Sequence, residues 1–377
     1  MALTKDQILA SLGAVRSPDG TPLPSTGALS DIVVSDGKVF FSLTVDAALV
    51  QQWEPVRRAA EAAVRAVPGV QSAMIALTAE RAAGGAPASR PQPARPQRPG
   101  AGGGPGASAI MPPGVGAIIA VASGKGGVGK STTAVNLALG LRDLGLKVGM
   151  LDADIYGPSV PKLLALKGRP QTLGGTRLKP MSGYGLSVMS IGFLVDEETP
   201  MIWRGPMVMS ALTQMLREVE WGELDIMVVD MPPGTGDAQL TMAQQVPLAG
   251  AVIVSTPQDL ALIDARRGIA MFKRVNVPVL GVVENMSYFV CPQCGSRSDI
   301  FGHGGARHEA ERLGVPFLGE IPLELAIRET SDAGRPVVAT APDGPYAAAY
   351  RDIAKAVWEQ VRSGSAGRPA PRIVIES

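Results

Sequence analysis

Ser123-Gly124-Lys125-Gly126-Gly127-Val128-Gly129-Lys130-Ser131-Thr132 decides how this 377-residue chain is read. The stretch fits the pattern G-x-x-x-x-G-K-[ST], with an extra lysine directly after the first glycine. Gly124, Gly126, Gly127 and Gly129 are expected to let the backbone take positive φ and to keep Cβ atoms out of the way. Consecutive N–H groups can then close on phosphate oxygens, the role expected of the loop from Gly124 through Val128 to Thr132. Lys130 is expected to reach the β- and γ-phosphates of ATP, and the Ser131 hydroxyl to bind Mg²⁺. The flanks suit this. Ala117–Ala122 is a run of small and branched apolar residues, expected as a buried strand, and Thr133–Leu139 has helical character, so a helix N-terminus faces the anion. A glycine-rich turn that matches by chance would not need both flanks.

Working outward, strands and helices alternate from Gly114 to about Arg362. Candidate strands are Ala117–Ala122, Lys147–Asp152, Ser187–Ile191, Asp225–Asp230, Ala251–Ser255, Val279–Glu284 and Phe317–Glu320. Most are near-continuous Val/Ile/Leu/Met runs, as expected where both faces of a parallel sheet are covered. The expectation is an α/β doubly wound fold with its ligand at the C-terminal ends of the strands. Residues 1–80 read as a separate small α+β domain. Lys5–Leu12 and Gln51–Val67 have helical spacing, Ile32–Val34 and Lys38–Val45 form a hairpin around Ser35-Asp36-Gly37, and Val70–Leu77 is a last strand. Residues 81–113 are nearly half Pro and Gly, with four arginines and no acidic residue. That composition buries too little apolar surface to offset ordering entropy, so a flexible linker spanning roughly 30 Å is expected. The tail 363–377 is again rich in Gly and Pro.

Composition excludes several classes. Lys plus Arg number 35 against 34 Asp plus Glu, which gives no sign of a nucleic-acid-binding protein. No apolar run reaches the roughly 18 residues of a membrane span, and Met1–Gly13 lacks the apolar core of a secretory signal, so neither membrane nor nucleic acid is expected as a partner and the cytoplasm is the expected compartment. The only cysteines are Cys291 and Cys294, a C-x-x-C that in a reducing compartment reads as metal or redox chemistry.

Three acidic residues stand at strand ends. Asp152 and Asp154 lie in Leu151-Asp152-Ala153-Asp154, and Asp230 closes Ile226-Met227-Val228-Val229-Asp230 ahead of Met231-Pro232-Pro233-Gly234-Thr235-Gly236-Asp237. An apolar strand ending in Asp is the second element of a phosphate site, its carboxylate holding Mg²⁺ or its water shell. One such carboxylate might serve only as a cap on the following segment; all three beside a phosphate loop argue for the site.

The G-K-G-G-x-G-K-[ST] form resembles the deviant Walker ATPases, which include septum-site MinD, partition ParA and the nitrogenase iron protein. The resemblance implies that Lys125 crosses a two-fold interface to the partner's nucleotide, that Asp154 orients the attacking water, and that Asn285 contacts adenine. Within that group, Cys291-Pro292-Gln293-Cys294-Gly295 directly after the Asn285 strand, with the motif at 230–237, Ile202-Trp203-Arg204-Gly205-Pro206 and Phe301-Gly302-His303-Gly304-Gly305, resembles the Mrp/ApbC iron–sulfur cluster carriers over about 114–362. The family binds ATP, dimerises, and passes a labile 4Fe-4S cluster to apo-proteins. A cubane takes four ligands, and two chains with two thiols each supply four. A redox dithiol, or zinc completed by His303 or His308, stays open as an alternative for the pair, although the glycine-rich setting of His303 favours a loop residue. Trp203 and Arg204 stay open between lining a dimer groove and packing. Residues 1–80 resemble the small domain of iron–sulfur assembly proteins, but Val45-Asp46-Ala47-Ala48 lacks the cysteine often found there, so a docking or structural role is expected. The implied function is a slow ATP hydrolase, a homodimer that holds a bridging 4Fe-4S cluster and serves apo iron–sulfur proteins alongside the cluster assembly machinery. The alternatives are a ParA/MinD-like positioning ATPase and a nitrogenase-iron-protein-like electron donor.

Overall fold

The computed structural model describes residues 4–30, 32–35, 37–46, 49–70, 72–80, 110–174, 177–195 and 205–366. The chain divides into two compact units. One is built on the first 107 residues, and the larger on residues 108–377 apart from the segment 201–211.

In the first unit, Thr4 and Gln7 form a reciprocal capping box that starts α1, Lys5–Leu12. It is followed by β1 (Val33–Ser35), β2 (Lys38–Asp46), α2 (Val50–Arg65) and β3 (Ser72–Glu80). β1 and β2 make the expected antiparallel hairpin. β3 runs parallel to β2 over its whole length, because α2 carries the chain back to the same end of the sheet. Ile8 and Leu12 of α1, Phe41 and Leu43 of β2, Ala60 and Val64 of α2 and Ile75 of β3 close one core. Ala47 and Ala48, where a cysteine was sought, lie outside the described residues.

Of the stretch expected as linker, 81–109 lies outside the described residues. Ile110 is already buried and its N–H donates to the Gln245 carbonyl at 2.8 Å, so the larger unit begins ahead of Gly114. It continues through β4 (Ile118–Ala122), α3 (Lys130–Asp143), β5 (Val148–Asp152), α4 (Val160–Leu163), β6 (Met181–Gly183) and β7 (Leu186–Ser190). Then come α5 (Gly205–Arg217), β8 (Ile226–Asp230), α6 (Asp237–Gln245), β9 (Gly250–Ser255), α7 (Asp259–Arg274) and β10 (Val279–Asn285). A short hairpin, β11 (Phe289–Val290) and β12 (Arg297–Ser298), precedes α8 (Gly305–Leu313), β13 (Phe317–Ile321), α9 (Leu325–Asp332), α10 (Val337–Thr340) and α11 (Pro345–Ala366). α11 thus extends into the stretch expected as tail.

Eight strands form one sheet in the order β13-β10-β9-β4-β8-β5-β7-β6. Every pairing is parallel except the last. Each apolar run expected as a strand is one, and β4, β5, β8 and β9 are buried throughout, the doubly wound α/β arrangement. β6 was not expected, since Met181-Ser182-Gly183 has no apolar run. The turn makes it: Tyr184 (φ 51°) and Gly185 (φ 79°) are both left-handed, the two-residue connection that matches strand twist. The chain leaves β4 through α3 to β5 on one side, and leaves β8 through α6 to β9 on the other. β4 and β8 are neighbours, so a crevice opens between their C-terminal ends, where a ligand belongs. Among the described residues no helix is long and apolar enough to cross a membrane.

Candidate functional site

The loop between β4 and α3 lies at that crevice. Gly127 and Gly129 both have φ 80°, and Gly129 is the left-handed N-cap of α3. Gly124 is needed for a different reason: a Cβ there would fall on the backbone of Asp264 in α7. Gly126 has neither a positive φ nor a crowded Cβ position, so the expectation that all four glycines serve the turn holds only in part. Ser123, Lys125, Gly126, Gly127, Gly129, Lys130, Ser131, Thr132, Asp154, Ser159, Leu163 and Pro233 line one open cavity of about 280 Å³.

Lys130 is buried, with Nζ 2.6 Å from Asp230 Oδ1, 3.7 Å from Asp154 Oδ2 and 3.2 Å from the Ser131 hydroxyl. Asp230 has no solvent exposure and its Oδ2 has no partner. Burial raises its pKa, opposed chiefly by the Lys130 ammonium. Asp152, at the end of the neighbouring β5, is equally buried. It accepts from the N–H groups of Asp154, Ser159 and Val160 and from the Ser190 hydroxyl, at 3.0–3.2 Å. Burial first, then the nearby Asp230 charge, pushes its pKa up to about 7. Asp154 is raised as well, chiefly by burial, with Lys130 pulling the other way. Asp230 and Asp154 therefore share one ammonium with Asp152 buried close behind, an arrangement short of positive charge and suited to a divalent cation. Asp152 also caps the start of α4 through the Ser159 and Val160 N–H groups, as the capping reading expects.

Asn285, the last residue of β10, donates from Nδ2 to the Val128 carbonyl at 2.8 Å, and a Cβ on Gly129 would strike that amide. It lines a second cavity of about 190 Å³ that shares Gly129, Thr132 and Leu163 with the first. Sequence reading missed its other walls, Met286, Pro322, Leu323, Glu324, Ile327, Arg328, Ser331, Asp332 and Tyr350, because the segments that follow β10 and β13, together with α9 and α11, supply them without a motif. The Tyr350 hydroxyl is buried there with no partner.

Cys291 and Cys294 line neither cavity. They sit in the loop between β11 and β12, which are paired at Phe289–Ser298 and Val290–Arg297. Cys291 N–H donates to the Ser296 carbonyl and Gly295 N–H to the Cys291 carbonyl, a turn completed by left-handed Gly295 (φ 70°). Both thiols are free, Cys291 half-buried and Cys294 exposed. The Ser296 hydroxyl, 3.1 Å from Cys294 Sγ, and the Ser296 backbone hold that thiol below its usual range. Trp203 and Arg204 lie outside the described residues.

The model of the NUBPL iron-transfer P-loop NTPase family matches residues 114–358, and that of an iron–sulfur cluster assembly protein family matches 5–76. An iron–sulfur cluster carrier protein of Synechocystis is 43% identical over 368 residues, 95% of this chain and 98% of that protein. The iron–sulfur cluster transfer protein NUBPL of Dictyostelium discoideum is 57% identical over 246 residues, 65% of this chain and 76% of that protein. A nucleotide-binding protein of Archaeoglobus fulgidus, solved in complex with ADP, superposes with TM-score 0.54 at 42% identity over 62% of this chain and 90% of that one.

Proposed function

The chain belongs to the family of NUBPL iron-transfer P-loop NTPases, and from that premise we propose that it is an ATP-hydrolysing iron–sulfur cluster carrier. Two copies would hold one bridging 4Fe-4S cluster on Cys291 and Cys294 and pass it to apo-proteins in the cytoplasm. The observation that carries the reading is the projecting hairpin. Two free thiols, the only cysteines of the chain, sit in the turn between β11 and β12, the first of them six residues after Asn285, which ends β10 and lines the second cavity. A single chain cannot close a four-thiolate set, and a second copy completes it.

The phosphate site fits Mg²⁺–ATP. Mg²⁺, when bound, would neutralise phosphate charge. Lys130 is now the counter-ion of Asp230. When it turns to the phosphates, Asp230, whose Oδ2 is unpartnered, and Ser131 are left to hold the metal or its water shell. Asp152 backs Asp230 from the adjacent strand. Asp154, which lines the same cavity, would orient the attacking water. Lys125, in that wall too, would reach the nucleotide of a second copy as an intermolecular cation. Asn285 would exchange the Val128 carbonyl for the base. A positioning ATPase would not need the paired thiols.

Anaerobic reconstitution with iron and sulfide tests the reading. Metal and sulfide counts should approach about four each per two chains, with visible charge-transfer absorption and a shift to dimer. Stoichiometric zinc that iron does not replace would refute it.

A further inference from the structure

One cluster of side chains lies outside both the phosphate site and the thiol turn. Glu284 of β10 and Glu320 of β13 are directly opposite each other in the parallel register of those strands. Like charges facing across a strand pair repel, and Glu284 has no solvent exposure to screen it. Between them stands Ser287, its hydroxyl 2.6 Å from Glu284 Oε1, 3.0 Å from Glu320 Oε2 and 3.4 Å from His303 Nδ1. One hydroxyl proton serves both carboxylates, and the imidazole nitrogen is the third polar atom around it. His303 Nδ1 lies 3.8 Å from Glu320 Oε2.

We infer that Glu284, His303 and Glu320 form a site for a single divalent first-row cation. The site is separate from the cysteine pair and stands whether or not the thiols carry a cluster. One ligand atom from each residue lies within 4.8 Å of the other two. Ligand atoms about 2.0–2.2 Å from one ion lie about 3–4 Å apart, so closure needs only a small movement of the half-exposed His303 and Glu320. Two carboxylates and an imidazole favour a first-row transition cation over Mg²⁺ or Ca²⁺. Glu284 is already fixed by the N–H groups of Gly304 at 3.1 Å and Ala306 at 2.7 Å, the outer support that a ligating carboxylate needs.

His303 is now engaged by Arg297. Its Nη2 lies 2.8 Å from His303 Nδ1, its guanidinium covers the Tyr288 ring at 4.1 Å, and its Nε donates to Asp299 at 3.1 Å. Arg297 also pairs in register with Val290, the residue before Cys291. A metal on His303 Nδ1 must therefore displace an arginine that belongs to the thiol hairpin itself.

The test uses the full chain with Cys291→Ser and Cys294→Ser, saturated with Mg²⁺–ADP to fill the phosphate site, and Co²⁺ as probe. Equilibrium dialysis should find one Co²⁺ per chain, with weak d–d bands and no thiolate charge transfer. His303→Gln and Glu320→Gln should each weaken binding by at least about tenfold, the scale that even outer-shell partners carry, with unchanged melting. Arg297→Gln should tighten it, a sign that a merely structural arginine would not give. Absence of saturable Co²⁺ binding, or binding indifferent to both His303→Gln and Glu320→Gln, overturns the inference.

Discussion

Replacing Lys130 with Met removes the only ammonium shared by Asp230 and Asp154, and its cost can be worked out before any nucleotide is added. Removing one partner of a buried ion pair costs about 3–5 kcal/mol, because the other charge is left unpaired in a poorly solvated place. Asp230 is fully buried with one oxygen already unpartnered, which argues for the upper end. It can escape by taking a proton, which argues for the lower end. The escape depends on pH. Burial already raises the folded pKa of Asp230 above its ordinary 3.8, and loss of Lys130 raises it further. A carboxyl with a raised folded pKa makes the protein progressively less stable as pH climbs from the unfolded to the folded value, and the loss is complete above the latter. The Lys130→Met deficit should therefore be about 3 kcal/mol at pH 8 and below about 1 kcal/mol at pH 5. At roughly 2–4 °C per kcal/mol, that is a fall of about 6–12 °C in the melting of the larger unit at pH 8. Calorimetry of the nucleotide-free full chain reads it, with the relevant transition identified in the wild type by its rise on adding Mg²⁺–ADP. Adding Asp230→Asn should recover most of the loss. Equal deficits at both pH values, or no rescue, would refute the shared-ammonium account.

Gly129→Ala should cost nucleotide affinity at least about tenfold, since the left-handed conformation alone carries about 1–2 kcal/mol and the methyl group also meets Asn285; titration with a fluorescent ATP analogue reads it, and unaltered affinity would count against the loop geometry. Asp154→Ala should bind ATP and fail to hydrolyse it, so turnover at the wild-type rate removes the water-orienting role. Lys125→Ala should keep ATP affinity within about tenfold while phosphate release collapses, as expected of a cation supplied across an interface. Cys291→Ala should leave ATP binding untouched and bring reconstituted iron to background; iron retained at the wild-type level would move the cluster off this turn.

The large sheet was legible because its strands are buried on both faces and so read as unbroken apolar runs, from Ile118–Ala122 to Val279–Asn285. The phosphate loop was legible because its chemistry is local. What escaped reading depends on pairs distant in sequence. Gly124 is forced by the backbone of Asp264, and Glu284 meets Glu320 only because β10 and β13 are neighbours in one register. Within Glu284-Asn285-Met286-Ser287 only the asparagine belongs to a motif, while Glu284 and Ser287 gather with a histidine that reads, by sequence, as part of a glycine turn. The parallel course of β2 and β3 escaped for a related reason, since periodicity fixes which face is buried and says nothing of strand direction.

The two proposed sites meet through one short run of backbone. Asn285 is bonded to the phosphate loop at Val128, and Ser287 N–H is bonded to the Ile321 carbonyl of β13. Between them Met286 has φ 56°, a left-handed conformation that costs a long side chain about 1 kcal/mol or more and persists only where its surroundings impose it. The Met286 side chain itself lines the cavity next to the phosphate loop. A base that takes Asn285 from Val128 thus acts at one end of a strained residue whose other end leads, past Tyr288 and its bond from Leu323 N–H, into the thiol hairpin. Coupling between sites is commonly about 1–3 kcal/mol, so relief or tightening of a single left-handed residue is of the right size to carry it. On this geometry a nucleotide at the proposed site would need no long path to the cysteines, because it would act through Met286.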